Sequence, residues 1–184
     1  MQFDFCPRCG TALVPKPIGD EGLVPYCPQC DRPWFPLSYG CVICVVVNAR
    51  CDRVLLIRQP EVGSRFINVA GYVQPGETIE QTAAREVHEE VGLMTTGLQY
   101  VKSYYYSKRD QLMFGFAVQV AEGDLRLSCE LCDAQWFSVK DALVALRESS
   151  IALQLLRDYL NMCGQETALS GDVPKTPHQV ELDG

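Results

Sequence analysis

The 184-residue chain has only two histidines, no long apolar run and no dense cluster of lysine and arginine. Crossing a bilayer takes about 20 consecutive apolar residues, whereas the longest run here, Cys41 to Val47, is strand-sized. The N-terminus carries Asp4 and then Cys6-Pro7, not a basic stretch followed by an apolar one, so no export signal is expected and the expected compartment is the cytoplasm. Sixteen Lys plus Arg against 23 Asp plus Glu leave a net charge of −7, which disfavours a general duplex-binding surface. An anionic substrate stays compatible with that balance, because a divalent cation reverses the charge of an acidic pocket locally. Internal repeats, low-complexity domains and a glycine-rich nucleotide fingerprint are also missing. The remainder is ordinary for a globular protein, 47% hydrophobic and 21% charged, which sets aside disorder, a coiled coil and a collagen-like fibre.

Ten cysteines stand out against this background. Four form two knuckles, Cys6-Pro7-Arg8-Cys9-Gly10 and Cys27-Pro28-Gln29-Cys30. A two-residue gap in a tight turn aims both thiolates at one ion, and two such turns complete a tetrahedral site. Pro15, Pro17, Gly19 and Gly22 suit the turns of a hairpin joining them. The expectation is a structural zinc ribbon held by Cys6, Cys9, Cys27 and Cys30. The competing reading, two disulfides in a secreted protein, lacks an accompanying export signal. Four sulfurs leave no position for water, so this zinc should organise the fold and perform no chemistry. Cys41 and Cys44 read as small buried hydrophobes on opposite faces of a strand. Cys129 and Cys132 lie in a loop-to-strand segment, where a second metal site has no identifiable partners; Cys51 and Cys163 have no evident role.

After the ribbon, Gly40 to Asn48 and Arg53 to Arg58 read as two closely linked core strands, and Phe66 to Val69 as a short one ending at Ala70-Gly71. From Gly76 the period changes. Thr78 can cap a helix whose apolar stripe is Ile79, Ala83, Val87 and Val91, with Gly92 as its C-cap. Later strands are expected at Leu98 to Tyr106, Leu112 to Ala121 and Ala134 to Phe137, and helices at Asp141 to Arg147 and Ser150 to Met162. Short strands interleaved with helices predict an α+β or α/β sandwich core. The expected division is a zinc ribbon over 1–37, a second domain over 38–165 and a flexible tail over 166–184.

The sharpest feature is Arg85-Glu86-Val87-His88-Glu89-Glu90-Val91-Gly92-Leu93. On a helix Glu86, Glu89 and Glu90 are three or four apart and share a face. Surface helices relieve such repulsion with interleaved lysines, and this one has none. A hard divalent cation accounts for the arrangement better than a solvated acidic face, and such ions chiefly handle phosphates. Arg85, four before Glu89, is placed to orient it with a bidentate contact. Glu77 and Glu80 enrich the acidic character at the helix start, where the dipole favours them.

Gly71, Glu77, Arg85-Glu86-Val87, Glu89-Glu90 and Gly92-Leu93 match nine constrained positions over 23 residues of the Nudix hydrolase box, and the chain resembles that superfamily. The resemblance implies an α/β/α sandwich with a mixed sheet and metal-dependent hydrolysis of a nucleoside diphosphate linked to another moiety. A four-cysteine ribbon directly before such a domain is similar to the NADH pyrophosphatase branch, which also removes NAD caps from RNA. Gly71-Tyr72-Val73 resembles that branch's Gly-Phe-Val. Glu130-Leu131, followed by Ala134-Gln135-Trp136-Phe137, resembles the segment whose glutamate supplies a metal ligand, and Ser150-Ile151-Ala152 resembles a turn bordering the substrate.

The resemblance therefore implies Mg²⁺ or Mn²⁺ held by Glu86, Glu89, Glu90 and Glu130, with Glu89 or Glu90 as the base and Arg85 holding the carboxylates. Substrate contacts are expected from Tyr72, Phe66 and Ala152, although both aromatics read equally well as core residues. NADH, NAD or a related compound such as ADP-ribose is the expected substrate, and a homodimer the expected assembly. Two departures bear on this. The branch's Ser-Gln-Pro-Trp-Pro-Phe-Pro, followed by Ser-Leu-Met, is replaced by Ser103-Tyr104-Tyr105-Tyr106-Ser107-Lys108-Arg109-Asp110-Gln111-Leu112-Met113, where only Ser103 and Leu112-Met113 agree. No counterpart is expected for the larger enzymes' extra N-terminal domain. Alternatives are a nucleotide pyrophosphatase for nucleoside triphosphates or dinucleoside polyphosphates and, in a different class, a zinc-ribbon adaptor. The intact carboxylate set favours catalysis over the adaptor.

Overall fold

The computed structural model describes residues 3–164; the expected tail over 166–184, with His178, lies outside them. The chain separates into two compact units. The first comprises the ribbon to Tyr39 together with Ser107–Asp110, and the second comprises Gly40–Tyr106 and the described residues from Gln111 onward.

The first unit is a three-stranded antiparallel sheet of β1 (Val14–Pro17), β2 (Leu23–Cys27) and β3 (Arg32–Pro33), in that order. Pro15 and Pro25 face each other where neither has an N–H to donate, which suits short, solvated strands. Gly22 closes the β1–β2 turn at φ 74°, its carbonyl accepting from Ile18 N at 3.0 Å. Among the described residues of this unit only Cys6, Val24, Tyr26 and Cys27 are buried hydrophobics. So small a core does not hold a fold by itself.

The second unit is an α/β fold with a mixed sheet and flanking helices, as expected. Its strands are β4 (Tyr39–Val47), β5 (Arg53–Arg58), β6 (Val69–Tyr72), β7 (Thr95–Tyr106), β8 (Gln111–Val120) and β9 (Asp133–Ser138). Their order is β7-β8-β4-β5-β9, with β6 paired to β4 from Cys44↔Val69 to Cys41↔Tyr72. Helices α1 (Ile79–Val91), α2 (Val139–Ala145) and α3 (Ile151–Met162) cover the two faces. Val42, Cys44, Val46, Leu55 and Ile57 pack with Ala83, Val87 and Val91 of α1, while Ile43, Val45, Val47, Val54 and Leu56 pack with Leu153, Leu155 and Leu156 of α3. Burial on both faces explains the unbroken apolar run in β4. Among the described residues no helix is long and apolar enough to cross a membrane.

Helix α1 starts at the expected cap and adds a capping box: Thr78 accepts from Gln81 N, and the Gln81 side chain accepts from Thr78 N. Gly92 ends it in the left-handed region at φ 74°. Two differences from the expected elements have local causes. Ser138 caps α2 by accepting from Asp141 N, so that helix begins at Val139 and not Asp141. Pairing of β6 with β4 begins only at Val69; Phe66 and Ile67 instead make isolated bridges to Leu146 and Ile57.

Candidate active site

The acidic residues are brought together where β6 passes through the loop at 73–78 into α1. Packing decides that this helix forms. Val87 and Val91 are fully buried, worth about 1.5–3 kcal/mol each, against tenths of a kcal/mol for repulsion between exposed carboxylates. Arg85 is the hub. Its Nε and Nη2 donate to Glu77 Oε1 and Oε2 at 2.7 and 3.0 Å, and Nη1 donates to Glu86 Oε1 at 2.7 Å and Glu89 Oε2 at 2.8 Å. Nη2 also donates to the Tyr72 carbonyl at 3.1 Å. The bidentate partner is therefore Glu77 and not Glu89, which receives a single bond. The Arg85 guanidinium holds the Glu77 carboxyl down to about 2, aided by the Thr82 hydroxyl at 2.9 Å and the Gln74 N–H at 3.3 Å. Glu77 is thus a clamp between the loop and the helix, a role that helix-dipole reasoning alone did not supply.

Glu90 is 5% exposed, and its Oε2 has no hydrogen-bond partner. Burial, then the charges of Glu86 and Glu130, push its carboxyl up to about 8. Burial also pushes Glu86 up, against the pull of Arg85. Glu130 comes from outside α1, on a turn carried past the end of the helix by two backbone bonds, Arg126 N to Val91 O at 3.0 Å and Ser128 N to Glu90 O at 2.9 Å. Its charge raises both Glu86 and Glu90. Glu89 faces outward, with 56% of its side chain exposed.

Gly71 explains itself here. A Cβ at that position would lie 1.9 Å from Glu86 Cδ, so the bare backbone is the seat of the Glu86 carboxylate. Gly71→Ala should displace Glu86 and lower kcat/KM about a hundredfold, the usual cost of misplacing a reacting group by about 1 Å. Steady-state kinetics with Mg²⁺ checks this, and activity within twofold of wild type would contradict it.

These donors fit a hard divalent cation: all are carboxylate oxygens, one buried oxygen lacks a partner, and the backbone is bared to seat a second acid. Among the described residues, Cys6, Cys9, Cys27 and Cys30 form the group whose ligand atoms all lie within 4.8 Å of one another. The sulfurs of Cys6 and Cys30 are 4.0 Å apart and those of Cys9 and Cys27 3.5 Å apart. Tetrahedral zinc–thiolate bonds of about 2.3 Å require about 3.8 Å between sulfurs, and a disulfide requires about 2.0 Å. All four are free thiols, so the disulfide alternative does not describe them. The Thr11 hydroxyl and amide pull the Cys9 thiol down to about 6, whereas burial pushes Cys27 up and the Cys9 sulfur pushes Cys30 up to about 12.

Two of the expected substrate residues pack on the other face of the sheet from α1. Phe66 and Ala152 belong to the α3-side cluster. Phe66 meets the Phe137 ring at 4.8 Å and the Arg58 guanidinium at 4.3 Å. Those contacts suit a core aromatic. Ala152 is buried, and its carbonyl accepts from Asn68 Nδ2 at 3.4 Å. Asn68, 2% exposed with Oδ1 unpartnered, was not singled out from the sequence; it carries no local pattern. Tyr72 follows Gly71 in β6, so its side chain takes the opposite face, and it is 50% exposed. Cys44 is fully buried, and Cys129 and Cys132 are exposed on either side of Glu130.

The NUDIX domain model matches residues 39–159. The "NAD-capped RNA hydrolase NudC" of Pseudomonas aeruginosa (strain LESB58) is 38% identical over 159 residues, covering 85% of this chain and 55% of the relative. The protein of the same description from Stutzerimonas stutzeri (strain A1501) is 35% identical over 161 residues, covering 86% and 56%. The chain thus spans about half the length of the curated relatives it matches. Among solved structures, a NUDIX hydrolase from Nitrosomonas europaea superposes with a TM-score of 0.67 at 20% identity, covering 89% of this chain and 94% of that one. That likeness concerns the fold alone.

Proposed function

The chain belongs to the NUDIX domain family, and from that premise we propose that it is a metal-dependent pyrophosphohydrolase cleaving the diphosphate of NADH, NAD⁺ or a related nucleoside diphosphate. The products would be AMP and NMN(H) or the corresponding monophosphate. The observation that carries this reading is the buried Glu90 carboxylate, with an orphan oxygen, in the shared field of Glu86 and Glu130. Glu86, Glu89, Glu90 and Glu130 would hold Mg²⁺ or Mn²⁺, which supplies charge neutralisation of the diphosphate and activation of water. The protein's own part is positional and protonic. Arg85 fixes Glu86 and Glu89 from one guanidinium, and Gly71 leaves room for Glu86. Glu89 or Glu90 accepts the proton of the attacking water. Glu89 is the more open of the two, and Glu90 is the one whose burial favours holding a proton. Tyr72 would stack on an aromatic base of the substrate. The four thiols would hold structural zinc.

The relatives' names bring NAD-capped RNA in as a candidate substrate. The altered segment from Ser103 to Met113 favours, as a second reading, a nucleotide pyrophosphatase of other substrate range. Product analysis separates them. With Mg²⁺ or Mn²⁺, NADH should yield AMP and NMNH with kcat/KM about tenfold above nucleoside triphosphates and dinucleoside polyphosphates. Turnover of those two classes with none of NADH, NAD⁺ or ADP-ribose would replace the first reading with the second.

A further inference from the structure

The tip of Tyr72 is tied from inside the fold. Gln111, the first residue of β8, is 6% exposed, and its Nε2 donates to the Tyr72 hydroxyl at 2.7 Å. Both ends of that bond are fixed by backbone. Gln111 pairs with Tyr106 across the β7–β8 hairpin, and Tyr72 pairs with Cys41 of β4 while its carbonyl accepts from Arg85. The ring is thus half-exposed, yet held at both its root and its tip.

Burying an amide needs a partner of this kind. Fixing an exposed ring in advance removes ordering cost from any ligand that stacks on it.

We propose that Gln111 is a positioning residue that sets specificity, holding the Tyr72 ring as a wall for the aromatic base of a nucleoside phosphate. This rests on the reading of Tyr72 as a substrate-binding residue. Gln111 itself touches Tyr72 and needs no contact with the substrate.

Calorimetric titration with AMP and with ribose 5-phosphate, which lacks the base, tests this without turnover. Gln111→Leu and Tyr72→Phe should each weaken AMP about fivefold, the usual worth of one such hydrogen bond. The double variant should be no weaker than either single one, because both remove the same bond. Ribose 5-phosphate should bind all of them as it binds wild type. If Gln111→Leu fails to fold, Tyr72→Phe asks the same question from the exposed end of the bond. AMP affinity unchanged in Gln111→Leu and Tyr72→Phe but lost in Tyr72→Ala would overturn the inference and leave the stacking reading standing. Unchanged affinity in Tyr72→Ala, or no AMP binding by wild type, would end both. Equal weakening of AMP and ribose 5-phosphate would make Gln111 merely structural.

Discussion

Replacing Glu90 by glutamine should lower kcat/KM about 10³-fold, within the range by which a positioned proton-transfer group contributes, and yet stabilise the metal-free protein at alkaline pH. The substitution keeps the side chain's shape and removes its charge. Glu90 is buried at 5% exposure with one oxygen unpartnered, and its carboxyl is raised to about 8 from an ordinary 4.5. A carboxyl whose folded pKa lies above its unfolded one takes up protons on folding. Its contribution is therefore complete below about pH 4.5 and is lost as pH rises toward and through 8. Metal-free wild type should lose stability across that window, whereas Glu90→Gln, which cannot ionise, should lose less. Melting curves at pH 5, 7 and 9 in a chelator, beside kinetics in Mg²⁺, read both effects. A variant with activity within tenfold of wild type, or with the same pH-dependent stability loss, would remove Glu90 from its assigned place.

The second large effect belongs to the first unit. Cys27→Ser should abolish metal retention and unfold that unit. Among its described residues the buried hydrophobics are only Cys6, Val24, Tyr26 and Cys27, and two of those are ligand candidates. Structural zinc contributes about 10–16 kcal/mol to the folding of comparable modules, more than so small a core supplies. Zinc content should fall from about one per chain to near zero. Hydrogen exchange over Phe5 to Pro33 should then approach unfolded rates, while Val42 to Val47 and α3 stay protected. Retained protection in the first unit of a zinc-free variant would show that the sulfurs are not what holds it.

Most of the fold was legible because its signals are local. The β4 run, the Thr78 cap, the stripe of Ala83, Val87 and Val91 and the Gly92 terminus each lie within one element. The grouping of Glu86, Glu89 and Glu90 was legible for the same reason: the three stand on one helix. What escaped was set by tertiary register. The Asn68–Ala152 bond joins residues 84 apart, and the Gln111–Tyr72 bond joins residues 39 apart. Neither has a periodicity to announce it. The Glu77–Arg85 clamp was hidden differently, because two plausible partners of Arg85 lie four and eight residues away and only the loop geometry chooses between them. The grouping of Ser107–Asp110 with the first unit likewise has no mark in the sequence.

Manganese uptake followed by electron paramagnetic resonance tests most directly whether the helix carboxylates hold a divalent cation. Wild type should take up Mn²⁺ saturably, and Glu86→Gln and Glu90→Gln should each bind it about tenfold more weakly or worse, since affinity at such sites follows the number of charged oxygen ligands. Zinc content should stay the same in all three proteins. Identical Mn²⁺ uptake by wild type and both variants would contradict the account.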